Sequence, residues 1–441
     1  IAGNGEKIAF APVIHHRQLP SLAHVARVRQ ELAHEVDQIA PARPGDAPDF
    51  SYLKLSPAGK VARPDAGSPA SEIGFLSEGL VRVLDDRHRA VGPWNPHLDA
   101  AHLQVGLRHM LLTRVFDDRM QRIQRSGKIS FYMRSYGEEA VSVAMAMALR
   151  PTDMLFPSYR NQGIYVVRGR PMLDLMCQLL SNTRDMCKGR QLPVMYHWRD
   201  GNIFSISGNL ATQFPQAVGW AMAAAIKGQD DIAVSWIGEG SSAEADFHHA
   251  LLFASVYKAP VILCVVNNQW AISTFQGHAG GERVTFAARG PGYGIAGVRV
   301  DGNDFLAVHA VTQWAAERAR TGRGPTLIEH VTYRAAAHST SDDPARYRPK
   351  DDYQKFPLGD PVERLKDHLI GLGEWSDERH QALTTELEAH VASSWKEAVS
   401  YGTLTEAPRL DPGLMFQDVF SEMPEHLRRQ EAEMRGELAE K

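Results

Sequence analysis

The sequence predicts an α/β protein: a parallel sheet with helices on both faces. Three observations carry that expectation. Between Leu98 and about Ala337, short apolar runs alternate with longer helix-like stretches, and such alternation lays strands side by side with crossover helices. The runs Ile232-Ala233-Val234-Ser235-Trp236-Ile237 and Val261-Ile262-Leu263-Cys264-Val265-Val266 are almost wholly apolar, as strands buried on both faces are. Each run ends in polar punctuation, Gly238-Glu239-Gly240 after the first and Asn267-Asn268 after the second.

The elements follow in order. Residues 1 to about 95 are rich in Pro, Gly, Asp and Arg, as in Arg43-Pro44-Gly45-Asp46-Ala47-Pro48, and lack sustained periodicity. They are expected to form a largely irregular N-terminal arm with a few short elements, including a helix near 22–38. Such an arm wraps a partner or stays disordered. Residues 96–345 form the expected α/β domain. Its helices are predicted at 98–126, 138–149, 171–181, 213–227, 241–257 and 304–320, and its strands at 153–156, 232–237, 261–266, 296–300 and 326–332. Residues 346–441 are expected to be a helical C-terminal extension after Pro361. Its charged run Glu425-His426-Leu427-Arg428-Arg429-Gln430-Glu431-Ala432-Glu433 reads as a solvated helix face.

Composition narrows the function class. The chain has 441 residues, 44% hydrophobic and 23% charged, as ordinary globular chains do. A net charge of −4 offers no basic footprint for nucleic acid. No apolar run approaches the ~18 residues of a membrane span. The 3 cysteines, Cys177, Cys187 and Cys264, form no Cys-x-x-Cys pair and suit a reducing compartment. The first residue is Ile1, so a removed targeting segment stays open.

The two strand ends carry the chemistry. Adjacent parallel strands bring Glu239 and Asn268 together on the sheet edge where α/β proteins bind ligands. A carboxylate and an amide suit a hard cation such as Mg²⁺, which keeps phosphate oxygens in its shell. Gly240 is expected to open a helix whose free N–H groups favour an anion. A lone Gly-x-Gly turn is usually a plain strand-to-helix corner. Further segments qualify. Arg160, in Phe156-Pro157-Ser158-Tyr159-Arg160, could grip a phosphate with Tyr159 as second donor; taken alone it is better read as a surface arginine. Ser207-Gly208-Asn209-Leu210-Ala211-Thr212-Gln213 leads into an apolar helix and reads as a cap on its own. His338 follows a buried strand and could donate protons near neutral pH, or belong to an ordinary loop. The Ser/Asp-rich segment 334–346 has few apolar anchors and is expected to be mobile without a cofactor. His248-His249 has no zinc-site spacing. No Gly-x-Ser-x-Gly elbow, P-loop or early Gly-x-Gly-x-x-Gly is present.

The Gly238-Glu239-Gly240 turn, a spacer of roughly 26 residues and Asn267-Asn268 together resemble the thiamin-diphosphate motif. From about Asp49 onward the chain resembles the α subunit of the thiamin-dependent decarboxylating component of 2-oxoacid dehydrogenase complexes, above all the branched-chain group. Ser130-Phe131-Tyr132-Met133, Gly137-Glu138-Glu139, Lys188-Gly189-Arg190-Gln191-Leu192-Pro193, Leu210-Ala211-Thr212-Gln213, Ala271-Ile272-Ser273-Thr274, Arg299-Val300-Asp301-Gly302-Asn303-Asp304, the His338 segment and Phe416-Gln417-Asp418-Val419-Phe420 carry it.

The resemblance implies a thiamin-diphosphate-binding fold. It also implies oxidative decarboxylation of branched-chain 2-oxoacids, with the acyl group passed to a lipoyl group of an acyltransferase component. Glu239, Asn268 and the Trp270 carbonyl would hold Mg²⁺. Tyr159 and Arg160 would contact the diphosphate, with Gly238, Gly240 and Ser241 lining it. Leu210 would keep the cofactor bent. Ser207, the Asn209 carbonyl, Thr212 and Gln213 would hold a monovalent cation such as K⁺. His338 would face the reacting carbon and, with Arg334, contact the cofactor, while Arg334 also supports its loop. Ser339 matches a serine that a dedicated kinase phosphorylates in animal relatives. A separate β subunit, in an α₂β₂ heterotetramer, would supply the glutamate that the chemistry needs. The implied compartment is the bacterial cytoplasm, or the mitochondrial matrix in a eukaryote.

Three positions depart from the pattern. Val266 stands where many relatives have Arg, Gly208-Asn209 replaces Ser-Pro, and Ser158 replaces Gln. Two alternatives share the fold: a pyruvate dehydrogenase α subunit, and a catalytically silent α-like scaffold.

Overall fold

The computed structural model describes residues 42–281 and 283–439; the helix expected near 22–38 lies outside them. The core is a six-stranded sheet in the order β1-β7-β8-β4-β3-β2. Its strands are β1 (Leu80–Val81), β2 (Met154–Phe156), β3 (Ala233–Gly238), β4 (Val261–Asn267), β7 (Ala296–Asp301) and β8 (Thr326–Val331). Every pairing is parallel. A separate antiparallel hairpin joins β5 (Trp270–Ala271) to β6 (Thr274–Phe275).

Side chains alternate across the sheet, as strand geometry requires. Val261, Leu263 and Val265 of β4 join a core with helices Gln213–Ile226 and Ala245–Val256, whereas Ile262, Cys264 and Val266 face the other core. That larger core holds helices Ala100–Arg125, Glu139–Ala148, Met172–Leu180 and Phe305–Arg320. Both faces are therefore covered, and the near-absence of polar residues in β3 and β4 follows.

The predicted strands form, each within about two residues, and the helices lie where the periodicity placed them, with one correction. No continuous helix starts at Ser241: Glu239–Ala243 is a single 3₁₀ stretch, and the α-helix begins at Ala245. The short strand β1, the helix Gln162–Val167 and the β5–β6 hairpin were not anticipated. β1 is only two residues long and adds the edge next to β7. Asp304 pins it there: its carboxylate accepts from the Val83 and Leu84 amides at 2.8 and 2.6 Å while its other oxygen caps the helix at Ala307.

After Pro361 the chain is helical at Pro361–Gly371 and Asp377–Ser400, capped by Asp360 and Ser376. The charged run forms the helix Glu425–Ala439. No helix among the described residues is long and apolar enough to cross a membrane.

Candidate functional site

Four neighbouring strands, β2, β3, β4 and β8, end on the same edge of the sheet because all run parallel. The chain leaving β2 carries Tyr159 and Arg160. The turn after β3 carries Glu239, Gly240 and Ser241. The chain leaving β4 carries Asn268 and Trp270, and the chain leaving β8 carries Arg334 and His338. Gly238 pairs in register with Val266, so Glu239 and Asn268 emerge side by side. A cavity of about 150 Å³ lies here, lined by Tyr159, Arg160, Leu210, Gly238, Glu239, Gly240, Ser241, Asn268, Trp270, Ala271, Ile272 and His338. Ten of these were singled out from sequence; Ala271 and Ile272 enter through the unanticipated hairpin.

Glu239 is 1% exposed and its Oε1 has no hydrogen-bond partner. Burial pushes its pKa up to about 7. A buried carboxylate oxygen without a donor is costly, and a cation at that position removes the cost. Asn268 turns its Nδ2 to Glu138, donating to Oε1 at 2.7 Å, and leaves Oδ1 with only a long 3.4 Å contact from the Trp270 amide. Asn267 points the other way: its Nδ2 donates to Gln276 Oε1 at 2.8 Å and Glu329 Oε1 at 2.9 Å, so the first amide of the pair is structural. The Trp270 carbonyl, the third expected ligand, accepts from Arg334 Nη1 at 2.6 Å and keeps one lone pair free. No group of three or more His, Cys, Asp or Glu converges among the described residues. A set of one carboxylate and two neutral oxygens needs none, and it fits a hard divalent cation.

The glycines shape an anion cradle beside it. Nothing stands within 4 Å of a Cβ built on Gly238, which leaves room at the cavity wall. A Cβ on Gly240 would collide with Ala271, so only glycine lets the hairpin close over the turn. Backbone strain gathers here too. Ala211, Gln269 and Ile272 hold φ of 63°, 75° and 55°, a region that non-glycine residues enter at a cost and that clusters at functional sites.

Arg160, 4% exposed, donates to the Arg134 carbonyl at 2.7 Å, to the His338 carbonyl, and to His338 Nδ1 at 3.1 Å. Because a guanidinium only donates, His338 Nδ1 accepts and the ring proton sits on Nε2. Burial, then Arg160 and Arg334, lowers the His338 pKa to about 3. The expectation that this histidine titrates near neutrality is therefore corrected: burial first, and then the two guanidinium groups, keep the ring neutral. An incoming anion reverses that effect.

Arg334 does not line the cavity. It is 1% exposed and ties the hairpin to the His338 loop, donating to the carbonyls of Trp270, Ile272 (2.9 Å) and Ala336 (3.2 Å) and to Tyr347 Oη (2.7 Å). Segment 334–346 accordingly has polar anchors in place of apolar ones. Asp342 accepts from the His338 amide at 2.7 Å and from Tyr347 Oη at 2.6 Å, and Thr340 pairs with the Tyr132 backbone.

Leu210 stands at the cavity mouth, 48% exposed. Beside it Ser207 Oγ accepts from the Asn209 amide at 3.1 Å, and Thr212 Oγ1 donates to the Asn209 carbonyl at 3.2 Å. Gln213 Nε2 donates to the Trp236 carbonyl at 2.9 Å, which leaves its buried Oε1 unpartnered. Those oxygens suit a monovalent cation. Of the three departures, Ser158 is occupied by Asn161 Oδ1 at 2.8 and 3.0 Å, and Val266 is buried in the sheet core away from the cavity.

The residue missed as a participant is Glu138, buried behind both Asn268 and Arg160. Its signal was the Gly-Glu-Glu motif: two successive acids at a helix start, both of which the fold buries.

The sequence model of the dehydrogenase E1 component family matches residues 107–406. The chain belongs to that family. A second model, the N-terminal segment of 2-oxoisovalerate dehydrogenase E1 alpha subunits, matches residues 41–71. The 2-oxoisovalerate dehydrogenase subunit alpha of Pseudomonas aeruginosa is 60% identical over 392 residues, covering 89% of this chain and 96% of that relative. The human mitochondrial subunit alpha of the same name is 38% identical over 366 residues, 81% of this chain and 80% of the relative. An Arabidopsis thaliana mitochondrial form, subunit alpha 2, is 37% identical over 388 residues, 85% and 78% of the two chains.

Proposed function

We propose that this chain is the α subunit of a branched-chain 2-oxoacid dehydrogenase. It takes part in the oxidative decarboxylation of such acids and in passing the acyl group to a lipoyl group on the acyltransferase component. The observation that carries the reading is the unpartnered Oε1 of the buried Glu239 beside Asn268, at the sheet edge of a chain 60% identical to a 2-oxoisovalerate dehydrogenase subunit alpha.

In this reading Glu239, Asn268 and the Trp270 carbonyl hold Mg²⁺. Tyr159 and Arg160 would bind the diphosphate of thiamin diphosphate, with Gly238, Gly240 and Ser241 lining it, and Leu210 would pack against the cofactor. When bound, that cofactor supplies the electron sink for loss of CO₂. The protein's residues do the rest. Arg160 exchanges its His338 contact for a phosphate, a stronger charge-assisted bond. His338, with its proton on Nε2, can donate toward an oxyanion, and an anion nearby raises its proton affinity. Arg334 holds the loop so that His338 keeps its place. Ser207, the Asn209 carbonyl, Thr212 and Gln213 hold a K⁺-like ion that orders the Leu210 loop. The cavity is open on one side, with Leu210 and Ile272 half exposed at its rim, which supports a β subunit closing it in an α₂β₂ heterotetramer. The three cysteines are free, which supports a reducing compartment, the cytoplasm if the source is bacterial.

The test is the co-purified α and β subunits assayed with 3-methyl-2-oxobutanoate and with pyruvate. The branched acid should win in kcat/KM by about 10- to 200-fold for each methylene the pocket accommodates. Equal turnover of pyruvate overturns the branched-chain assignment, and full turnover by α alone overturns the shared site.

A further inference from the structure

We propose that Glu138 is a positioning residue: it locks the Asn268 side chain with its oxygen toward the metal. The inference rests on the reading of Asn268 as a metal ligand. A primary amide can turn over with almost no change of shape, exchanging an acceptor for two donors. For a metal ligand the two states are opposite in effect, since one offers oxygen to the cation and the other offers N–H groups. Something must choose.

Glu138 makes that choice. Glu138 is 4% exposed and accepts from Asn268 Nδ2 at 2.7 Å. Its Oε1, an acceptor held at that distance, claims the NH₂ side and so turns Oδ1 away from Glu138, where it meets only the Trp270 amide at 3.4 Å. Burial pushes the Glu138 pKa up to about 7, and Arg160, whose Nε stands 4.0 Å from Oε1, works against that rise. The Glu138 backbone is itself fixed. Its amide donates to the Ser135 carbonyl at 2.8 Å, and Thr332 Oγ1 donates to the Gly137 carbonyl at 2.9 Å. Gly137 has φ of 95° and lies so close to the Tyr333 carbonyl that a Cβ would collide. The carboxylate thus reaches Asn268 from a base that cannot shift. One buried acid serves both halves of the site, the amide of the cation and the guanidinium of the anion.

Charge and reach can be separated by two variants of the assembled enzyme. Glu138→Gln loses the charge but keeps an acceptor at the same distance. Glu138→Asp keeps the charge but is one methylene too short. The readout is the Mg²⁺ concentration that half-saturates thiamin diphosphate binding, followed by calorimetry. Glu138→Asp should raise it about 10- to 100-fold while Glu138→Gln stays within about threefold, the usual range for partners that orient metal ligands. In an Asn268→Ala background the Glu138→Asp change should add nothing. The reverse order, Asp harmless and Gln damaging, overturns the proposal in favour of plain charge balance, and so does Mg²⁺ affinity unmoved by Glu138→Asp. If Glu138→Asp does not assemble, Glu138→Gln decides alone, since a tenfold loss there contradicts acceptor-based locking. Asn268→Ala separates the two levels. If it leaves Mg²⁺ affinity unchanged, the metal-site reading fails; if it weakens binding while Glu138→Asp does not, only this inference fails.

Discussion

Buried acids in this protein come in two kinds. Away from the cavity they are paired. Glu139 meets Arg114 Nε at 2.8 Å, Asp301 meets Arg364 Nη1 at 2.9 Å and Arg82 Nε at 3.5 Å, and Glu329 accepts from Asn267 and from the Ala287 amide at 3.0 Å. At the cavity, Glu239 keeps an oxygen with no donor. The contrast separates scaffold from site. A fold can bury a carboxylate only if something satisfies it, so the acid left unsatisfied is the one whose partner arrives from outside. On the proposed reading, the same residue type at similar burial is structural at 139 and a metal ligand at 239.

The largest expected effects test the contrast directly. Glu239→Gln should weaken Mg²⁺-dependent thiamin diphosphate binding by more than about 100-fold, because a hard cation loses its only protein carboxylate. The metal-free thermal midpoint of the same variant should hold or rise, since an unpaired buried acid is gone. Glu139→Leu should do the opposite: Mg²⁺ affinity is kept, while stability falls by about 3 kcal/mol, the low end for breaking a buried pair because Arg114 retains Asp360 at 2.9 Å. Calorimetry and thermal melts on the heterotetramer read both. A Glu239→Gln protein that melts far lower would erase the distinction.

Next in size is His338. Its replacement by Ala should lower kcat by about 10²- to 10⁴-fold, the usual range for a lost general acid–base, with cofactor affinity changed much less. A kcat within threefold of wild type would make the loop passive. Ser339→Glu should follow. Ser339 sits next to His338, and a new charge there faces Asp342, which anchors the His338 amide, so repulsion should loosen the loop. Limited proteolysis near Arg346 should become faster, and cofactor should protect the wild type better than the variant.

A smaller effect distinguishes two histidines. His330 is fully buried on β8, neither ring nitrogen has a partner, and burial pushes its pKa down to about 3. The unfolded chain takes up this proton near pH 6.5, whereas the folded chain resists until about pH 3. Stability is therefore lost as pH falls through that window, at about 1.4 kcal/mol per pH unit for one proton. His330→Leu should flatten the acid limb of denaturant-midpoint measurements, with or without cofactor. His338 starts from the same depressed value, but its cationic neighbours are those the diphosphate would neutralise, so cofactor should change only its share.

Much of this was legible in the sequence because it follows from strand ends. Apolar runs announce the strands, parallel pairing fixes which ends meet, and the residues just beyond them are the site. What was not legible depends on side-chain direction and on long-range pairing. Nothing local tells Asn267 from Asn268, yet the first turns into the Glu329 network and the second toward the cavity. Ala271 and Ile272 line the cavity through a hairpin too short to carry a pattern, and Trp270 was reached only through the family resemblance. β1 exists because Asp304, more than 200 residues later, satisfies its neighbouring amides. The His338 pKa is set by burial and then by Arg160, from a different strand end, and no sequence window contains either.

The most direct test of the central claim is anomalous diffraction from crystals of the assembled enzyme with thiamin diphosphate and Mn²⁺ in place of Mg²⁺. The account predicts one strong peak about 2.2 Å from both Glu239 Oε1 and Asn268 Oδ1, as hard cations with oxygen ligands require. A peak elsewhere, or a saturated cofactor with neither residue in the metal's coordination sphere, would contradict it.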